Sequence, residues 1–285
     1  MEFTKMHGLG NDFIITTADF VPENPEKKAK TLCDRRFGIG ADGLVFLLPS
    51  DKADFCMRLF NSDGSEADMC GNATRCIGKF VYEKGLVSSD KISLETNSGI
   101  KYITVFHEGE FVTEVEVEMG SAVLDPKLIP IVTDKEIFLN EPVEIGGEIY
   151  FGTGVSMGNP HLVVFVDDVN EVDIDYLGPL FENNKIFPNR VNTEFVQVID
   201  GEQPNEHSGG HLKMRVYERG CGETTACGTG ACASVAASVL RGFCKRNSAV
   251  KVELTGGELY IVYRDDGTVT MRGAATEVFT GTVGD

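Results

Sequence analysis

The sequence lacks any run of about 18 apolar residues, the length a membrane-spanning helix needs. It is also poor in basic residues: 26 Lys and Arg stand against 44 Asp and Glu, a formal net charge of −18. So acidic a chain argues against nucleic acid or an anionic membrane as a partner, because binding to phosphate rests on Lys and Arg. A small anionic substrate remains open, since one local basic group is enough to hold it. The first residues, Met1-Glu2-Phe3-Thr4-Lys5, have neither the basic stretch nor the apolar core of a signal peptide, so a cytoplasmic location is expected. There is no G-x-x-x-x-G-K-[ST] phosphate loop. The glycine-rich Gly38-Ile39-Gly40-Ala41-Asp42-Gly43 lacks the strand and helix that would make its G-x-G a dinucleotide site. Nothing in the chain calls for a nucleotide, a flavin or a metal, and no cofactor is expected.

What is present is an ordinary globular composition, 42% hydrophobic and 25% charged over 285 residues, enough for one large or two medium domains. Eight cysteines in a reducing compartment read as thiols, metal ligands or catalytic groups rather than a disulfide frame. Two of them share a setting. Cys227-Gly228-Thr229-Gly230 leads into a helical run of Ala, Ser, Val and Leu, and Cys70-Gly71-Asn72-Ala73 leads into a helix expected over 72–83. Each thiol is thereby placed at the mouth of a helix, beside N–H groups without intrahelical partners and the positive end of the helix dipole.

These two settings belong to a longer repeat. Gly10-Asn11 and Gly158-Asn159 each precede an apolar strand. Asp42 opens the strand 44–48, and Asn192 opens 195–199. Asn61 and Glu218 each lie nine residues before their cysteine, Glu66 and Glu223 four before it, and Gly85 and Gly242 fifteen after it. Further strands are expected at 3–13 about a glycine turn, at 55–60, and at 92–94, 102–106 and 111–118, where apolar and polar residues alternate. A helix is expected over 25–36. Two similarly folded domains follow, one over 1–119 and one over 120–274, with a polar loop at 202–210 inserted in the second. The last residues, 275–285, are expected to return to the first domain as an extra strand.

A helix N-terminus lowers a cysteine pKa and makes a thiolate accessible near neutral pH. Two such cysteines in equivalent places suggest symmetric chemistry: one removes a proton from a substrate carbon while the other delivers one to the opposite face. The N–H groups of Gly71, Asn72, Gly228 and Thr229 can then hold a carboxylate and stabilise the charge that develops beside it. Two readings compete. Buried cysteines are common in cores. Zinc also uses cysteine, but the spacings Cys70…Cys76 and Cys227…Cys232 are not those of structural zinc sites. Asn11, Asn61, Asn159 and Asn192 are turn residues by type, yet their repeat-related places suit them to bind a zwitterion. Arg219 reads as a solvated surface charge or as a carboxylate fork. His161 reads as a satisfied strand residue or as a group that helps a thiol lose its proton.

Lys5-Met6-His7-Gly8-Leu9-Gly10-Asn11-Asp12-Phe13, Gly40-Ala41-Asp42-Gly43, Asn61-Ser62-Asp63-Gly64-Ser65, Met69-Cys70-Gly71-Asn72, Gly158-Asn159-Pro160-His161, Arg190-Val191-Asn192 and Glu218-Arg219-Gly220 through Cys227-Gly228-Thr229-Gly230 together resemble the diaminopimelate epimerases, over the whole chain and in family order. The resemblance implies an α/β (α+β) fold of two pseudo-symmetric domains. Each would be a mostly antiparallel sheet or barrel wrapped around a central helix, with the active site in the cleft between them. It implies cofactor-independent epimerisation of LL-2,6-diaminopimelate to the meso form, in lysine and peptidoglycan precursor synthesis, with a homodimer compatible. Cys70 and Cys227 would be the paired acid and base. Asn11, Glu218 and His161 would lie near the reacting centre, and Asn61, Asn159, Asn192 and Arg219 would bind the distal end. The chain departs from the family at Ala73, where a glycine is usual. Alternatives are a proline racemase-like enzyme, whose first cysteine is associated with C-G-H rather than C-G-N, and a non-enzymatic thiol or zinc-binding protein.

Overall fold

The computed structural model describes residues 1–199 and 209–284, which fall into two compact units, Met1–Glu118 with Arg272–Asp285, and Met119–Met271. Most of the polar loop expected at 202–210 lies outside the described residues.

Unit 1 begins with β1 (Glu2–Gly8), β2 (Asn11–Thr17), α1 (Pro25–Cys33), β3 (Gly43–Leu48), β4 (Phe55–Asn61) and the short β5 (Glu66–Ala67). It continues through α2 (Gly71–Glu83), β6 (Lys91–Thr96), β7 (Gly99–Glu108) and β8 (Phe111–Ser121). Unit 2 holds β9 (Glu141–Ile145), β10 (Glu148–Ser156), β11 (Pro160–Phe165), α3 (Ile174–Glu182), β12 (Asn192–Val198) and β13 (Gly210–Glu218). It ends with β14 (Gly222–Thr224), α4 (Gly228–Leu240), β15 (Val250–Leu254) and β16 (Gly257–Tyr263). The chain passes between units within β8 and within β17 (Thr268–Gly273), and closes with β18 (Thr276–Thr282), which pairs antiparallel with β1.

Strand pairing repeats from unit to unit. In unit 1, β1 runs antiparallel to β2, β2 parallel to β3, β3 antiparallel to β4, and β4 parallel to β6, which returns antiparallel as β7. Unit 2 gives the same series with β10, β11, β12, β13, β15 and β16. The fold is thus mixed α/β, pseudo-symmetric, with few helices. One sequence alignment of the halves shifts by a residue. Phe13 pairs with Gly43 and Gly43 with Asn61, whereas His161 pairs with Asn192, which sits opposite Glu218 one step beyond the Thr193–Tyr217 pair. Gly43, not Asp42, therefore holds the register position of Asn192.

Both faces of these central strands are covered, so they read as continuous apolar runs such as Gly43–Leu48 (GLVFLL) rather than as alternating ones. Alternation still decides which core a residue enters. Leu44, Phe46 and Phe60 pack with Ile14 against Ala29, Leu32 and Cys33 of α1, so Phe13, Val45 and Asn61 point to the other face, the face of α2. In unit 2, Leu162, Val164 and Phe195 join Ile174 and Phe181 of α3. His161, Asn192 and Glu194 thereby take the α4 face. Helix α4 is buried nearly throughout, as its all-round small and apolar sequence, GTGACASVAASVL, requires. Helix α3, which the apolar pattern did not announce, is capped by the Asp173 carboxylate accepting from the Tyr176 N–H at 3.2 Å.

Gly178 lies inside α3, and a Cβ there would meet Cδ2 of the Tyr217 ring at 2.1 Å. Helix propensity alone favours Gly178→Ala by ~1 kcal/mol, but the ring belongs to the packed core and overpacking costs about 1–3 kcal/mol. We expect Gly178→Ala to be net destabilising, read as a lower urea midpoint at unchanged slope. A raised midpoint would show that the ring gives way freely.

Candidate active site

Both candidate cysteines are the N-cap residues of buried helices. Cys70 precedes α2 with φ −141° and ψ 118°, and Cys227 precedes α4 with φ −105° and ψ 104°. Both caps are extended and stand beside the first turn of the helix, where no intrahelical carbonyl serves the N–H groups, and at Cys227 the sulfur turns toward that turn. Gly71 and Asn72 occupy that turn in unit 1, Gly228 and Thr229 in unit 2. The Cys70 carbonyl accepts from the Thr74 N–H at 2.9 Å, and the Cys227 carbonyl from the Ala231 N–H at 3.0 Å.

In unit 1 the Cys70 thiol, half-buried, donates to Asn11 Oδ1 at 3.8 Å, and Asn72 Nδ2 donates to the same oxygen at 3.0 Å. The orientation of Asn11 is set from behind. Its Nδ2 donates to Asp42 Oδ2 at 2.8 Å, and a carboxylate only accepts, so the amide oxygen must face Cys70 and Asn72. Asp42 is in turn held by Arg35 at 2.8 Å and by the Asp12 N–H at 3.0 Å. Arg35 also bridges both oxygens of Asp12, which meets Lys5 at 2.7 Å. Burial works to raise the Asp12 pKa, but the hydrogen bonds from Arg35 and Lys5 prevail and hold it well below the usual carboxylate range. Asn61, at the end of β4, donates from Nδ2 to Ser65 Oγ at 3.0 Å.

In unit 2 Cys227 is 4% exposed, and its sulfur accepts from the Gly230 N–H at 3.4 Å and lies 3.5 Å from Thr229 Oγ1. The sequence led us to expect a lowered thiol pKa here, and the structure reverses the sign. Burial comes first, then the negative fields of Glu218 and Glu194, and together they push the Cys227 pKa well above its ordinary value against the opposing pull of Thr229 and Gly230. Glu218 is itself raised by burial and by Glu194, with partial relief from hydrogen bonds to Thr224 and Cys227 and from the field of His161. The other buried thiols behave as core residues: burial lifts Cys33 and Cys244 to about 11 and Cys76 to about 12.

His161 is fully buried, with Nδ1 2.7 Å from Glu194 Oε1 and Nε2 2.9 Å from Asn159 Oδ1. Asn192 acts as a bracket. Its Nδ2 donates to the Pro160 carbonyl at 2.7 Å and its Oδ1 accepts from the Arg219 N–H at 2.9 Å, which ties the start of β11 to the end of β13. The Arg219 guanidinium donates to the Asn189 carbonyl at 3.0 Å and is half-buried.

Unit 1 thus gathers Asn11, Cys70, Gly71 and Asn72, with Asn61 at the neighbouring strand end. Unit 2 gathers Asn159, His161, Asn192, Glu218, Arg219, Cys227, Gly228 and Thr229. Sequence reasoning gave no site role to Lys5, Asp12, Arg35 and Asp42 behind Asn11, or to Thr224 and Glu194 behind Glu218 and His161. The sequence offered little signal for them, since β1 (EFTKMHG) and β12 (NTEFVQV) carry other polar residues beside Lys5 and Glu194.

The Diaminopimelate epimerase family profile matches residues 3–124 and 153–278. A diaminopimelate epimerase of Acetivibrio thermocellus is 50% identical over 285 residues, covering 99% of this chain and 98% of its own. One of Methanococcus maripaludis is 48% identical over 285 residues, covering 99% of each. Among solved structures, a probable proline racemase from Agrobacterium radiobacter aligns with a TM-score of 0.73 at 15% identity, over 99% of this chain and 92% of that one. At such identity that likeness speaks for the fold alone. The profile covers both halves and the relatives match end to end at about half identity: the chain belongs to the diaminopimelate epimerase family.

Proposed function

We propose that this isomerase interconverts LL- and meso-2,6-diaminopimelate by moving one α-proton between two thiols, Cys70 and Cys227, with no cofactor. The observation that carries the reading is the repeat of one arrangement, a cysteine at the N-cap of a buried helix, in two units of the same topology. The α-carboxylate of the substrate would rest on the N–H groups of Gly71, Asn72, Gly228 and Thr229, where helix N-termini favour negative charge. Those groups also stabilise the charge that builds on the carboxylate as the α-proton leaves.

In the forward step Cys70 first loses to solvent the proton it donates to Asn11 Oδ1, and the thiolate so formed takes the α-proton and becomes a thiol again. The electron pair left on carbon delocalises into the carboxylate. Cys227 then gives its proton to the opposite face and is left as a thiolate. The raised pKa of Cys227 suits it to carry the proton at rest. Asn11, Glu218 and His161 would surround the reacting centre. Asn61, Asn159, Asn192 and Arg219 would bind the distal amino-acid end, with Arg219 the group suited to a carboxylate. We place the reaction in the cytoplasm, supplying lysine and peptidoglycan precursors, and we take the working assembly to be a homodimer. Among the described residues no helix is long and apolar enough to cross a membrane.

In deuterated water, reduced protein given LL-diaminopimelate should release meso product with deuterium at one α-carbon. No exchange would overturn the reading. Cys70→Ala and Cys227→Ala should each abolish epimerisation while the circular dichroism spectrum stays unchanged, and turnover retained in either would remove the two-thiol assignment. Site-resolved alkylation of Cys227 by iodoacetamide should rise with pH, with a midpoint above the usual thiol value. Removing a negative neighbour favours the thiolate, so Glu218→Gln should lower that midpoint. Complete alkylation of Cys227 at neutral pH would show that it rests as a thiolate.

A further inference from the structure

The two units place different chemistry at equivalent positions. On the face that meets the cysteine-capped helix, unit 1 carries Phe13, Val45 and Ala73. The shared register puts His161 and Glu194 where Phe13 and Val45 stand, and Gly230 follows its cysteine as Ala73 follows Cys70. Phe13 is 3% exposed, and Val45, Ala73, His161 and Glu194 are fully buried. One layer that is apolar in unit 1 is therefore a His–Glu pair in unit 2.

That pair is costly. Glu194 Oε1 takes the Nδ1 side of His161 at 2.7 Å, but Oε2 is buried with no hydrogen-bond partner among the described residues. A buried carboxylate oxygen left unsatisfied lowers stability, and apolar residues of similar size commonly serve a core as well or better. The carboxylate also dictates the residue above it. A Cβ at Gly230 would stand 2.6 Å from Glu194 Oε1 and 3.2 Å from the Cys227 sulfur. Glycine is thus required at 230, while the apolar counterpart layer accepts alanine at 73, which gives the departure at Ala73 a structural reason. Unit 1 demonstrates that this fold closes over its helix without such a pair, so stability does not explain it.

We propose that Glu194 is a positioning residue: through its bond to Nδ1 it fixes the ring and tautomer of His161, so that Nε2 is presented to Asn159 on the face that meets α4. A carboxylate only accepts, so the proton of the Nδ1–Oε1 bond lies on the ring. With Nδ1 protonated, Nε2 is the ring's acceptor, and the Asn159 side chain 2.9 Å away serves it as a donor when its amide turns NH2 rather than Oδ1 to the ring. The functional part of this inference rests on the epimerase reading above; the His161–Glu194 pairing does not.

Three variants test it. Glu194→Gln keeps the shape and removes the acceptor-only carboxylate. Glu194→Val with Gly230→Ala rebuilds the Val45 and Ala73 layer of unit 1, so that loss of function is read in a core whose packing has a native precedent. His161→Gln assigns the His161 signals in 15N-histidine NMR. In wild-type protein the His161 spectrum should show a protonated Nδ1. In Glu194→Gln those shifts should move toward a tautomer mixture, and in the double variant the Nδ1 signature should be lost. Both Glu194 variants should lose roughly ten-fold or more in kcat, with KM within about three-fold of wild type. The double variant should hold or raise the urea midpoint. Unchanged His161 shifts in Glu194→Gln, or wild-type kcat in either variant, would overturn the proposal. If the double variant does not fold, Glu194→Gln decides. If the wild-type protein does not epimerise diaminopimelate, the epimerase reading falls, and the ring-nitrogen shifts alone decide the pairing.

Discussion

Each unit is built around a helix that begins at a cysteine below the surface, half-buried at Cys70 and buried at Cys227. A buried helix start is demanding, because its first N–H groups find no carbonyl within the helix and must be served by something else. Ser, Thr, Asp or Asn would serve better as the cap than cysteine, whose sulfur is a weak acceptor. At Cys227 the sulfur takes the Gly230 N–H at 3.4 Å, and at Cys70 the side chain makes no capping bond. The rest of the fold makes this arrangement tenable: small side chains let α4 run buried between strands, and covered sheet faces supply the apolar surroundings.

The two cysteines share a backbone setting but not an electrostatic one. Behind Cys70 stands an amide, Asn11, aimed by Asp42 and anchored through Arg35, Asp12 and Lys5. Around Cys227 stand two carboxyls and a histidine. The same helix-terminus field is opposed by burial and by Glu218 and Glu194 in unit 2, and the opposing side wins. Equivalent geometry with unequal charge would suit the proposed exchange, in which one thiol holds its proton more tightly than the other.

Much of this was legible in the chain. The equal offsets of Asn61 and Glu218, and of Gly85 and Gly242, from their cysteines reflect one strand–turn–helix unit written twice. The small residues after each cysteine announced a helix mouth. Less legible was whatever depended on partners far apart in the sequence. The alignment that set Asp42 against Asn192 was off by one residue, because the register is fixed by pairing with β2 and β11 and not by the local sequence. Glu194 carried no motif, and in a strand that reads NTEFVQV its charge did not stand out.

The sequence by itself determined the paired cysteines, the helices they open and the strands that flank them, because those follow from local rules of turn, cap and periodicity. Tertiary structure alone decided which charges reach which thiol. Parity along β12 turns Glu194 toward α4, register sets it against His161, and burial of the thiol, then Glu218 and Glu194, raise the Cys227 pKa. These are consequences of non-local pairing and desolvation, and no local pattern encodes either.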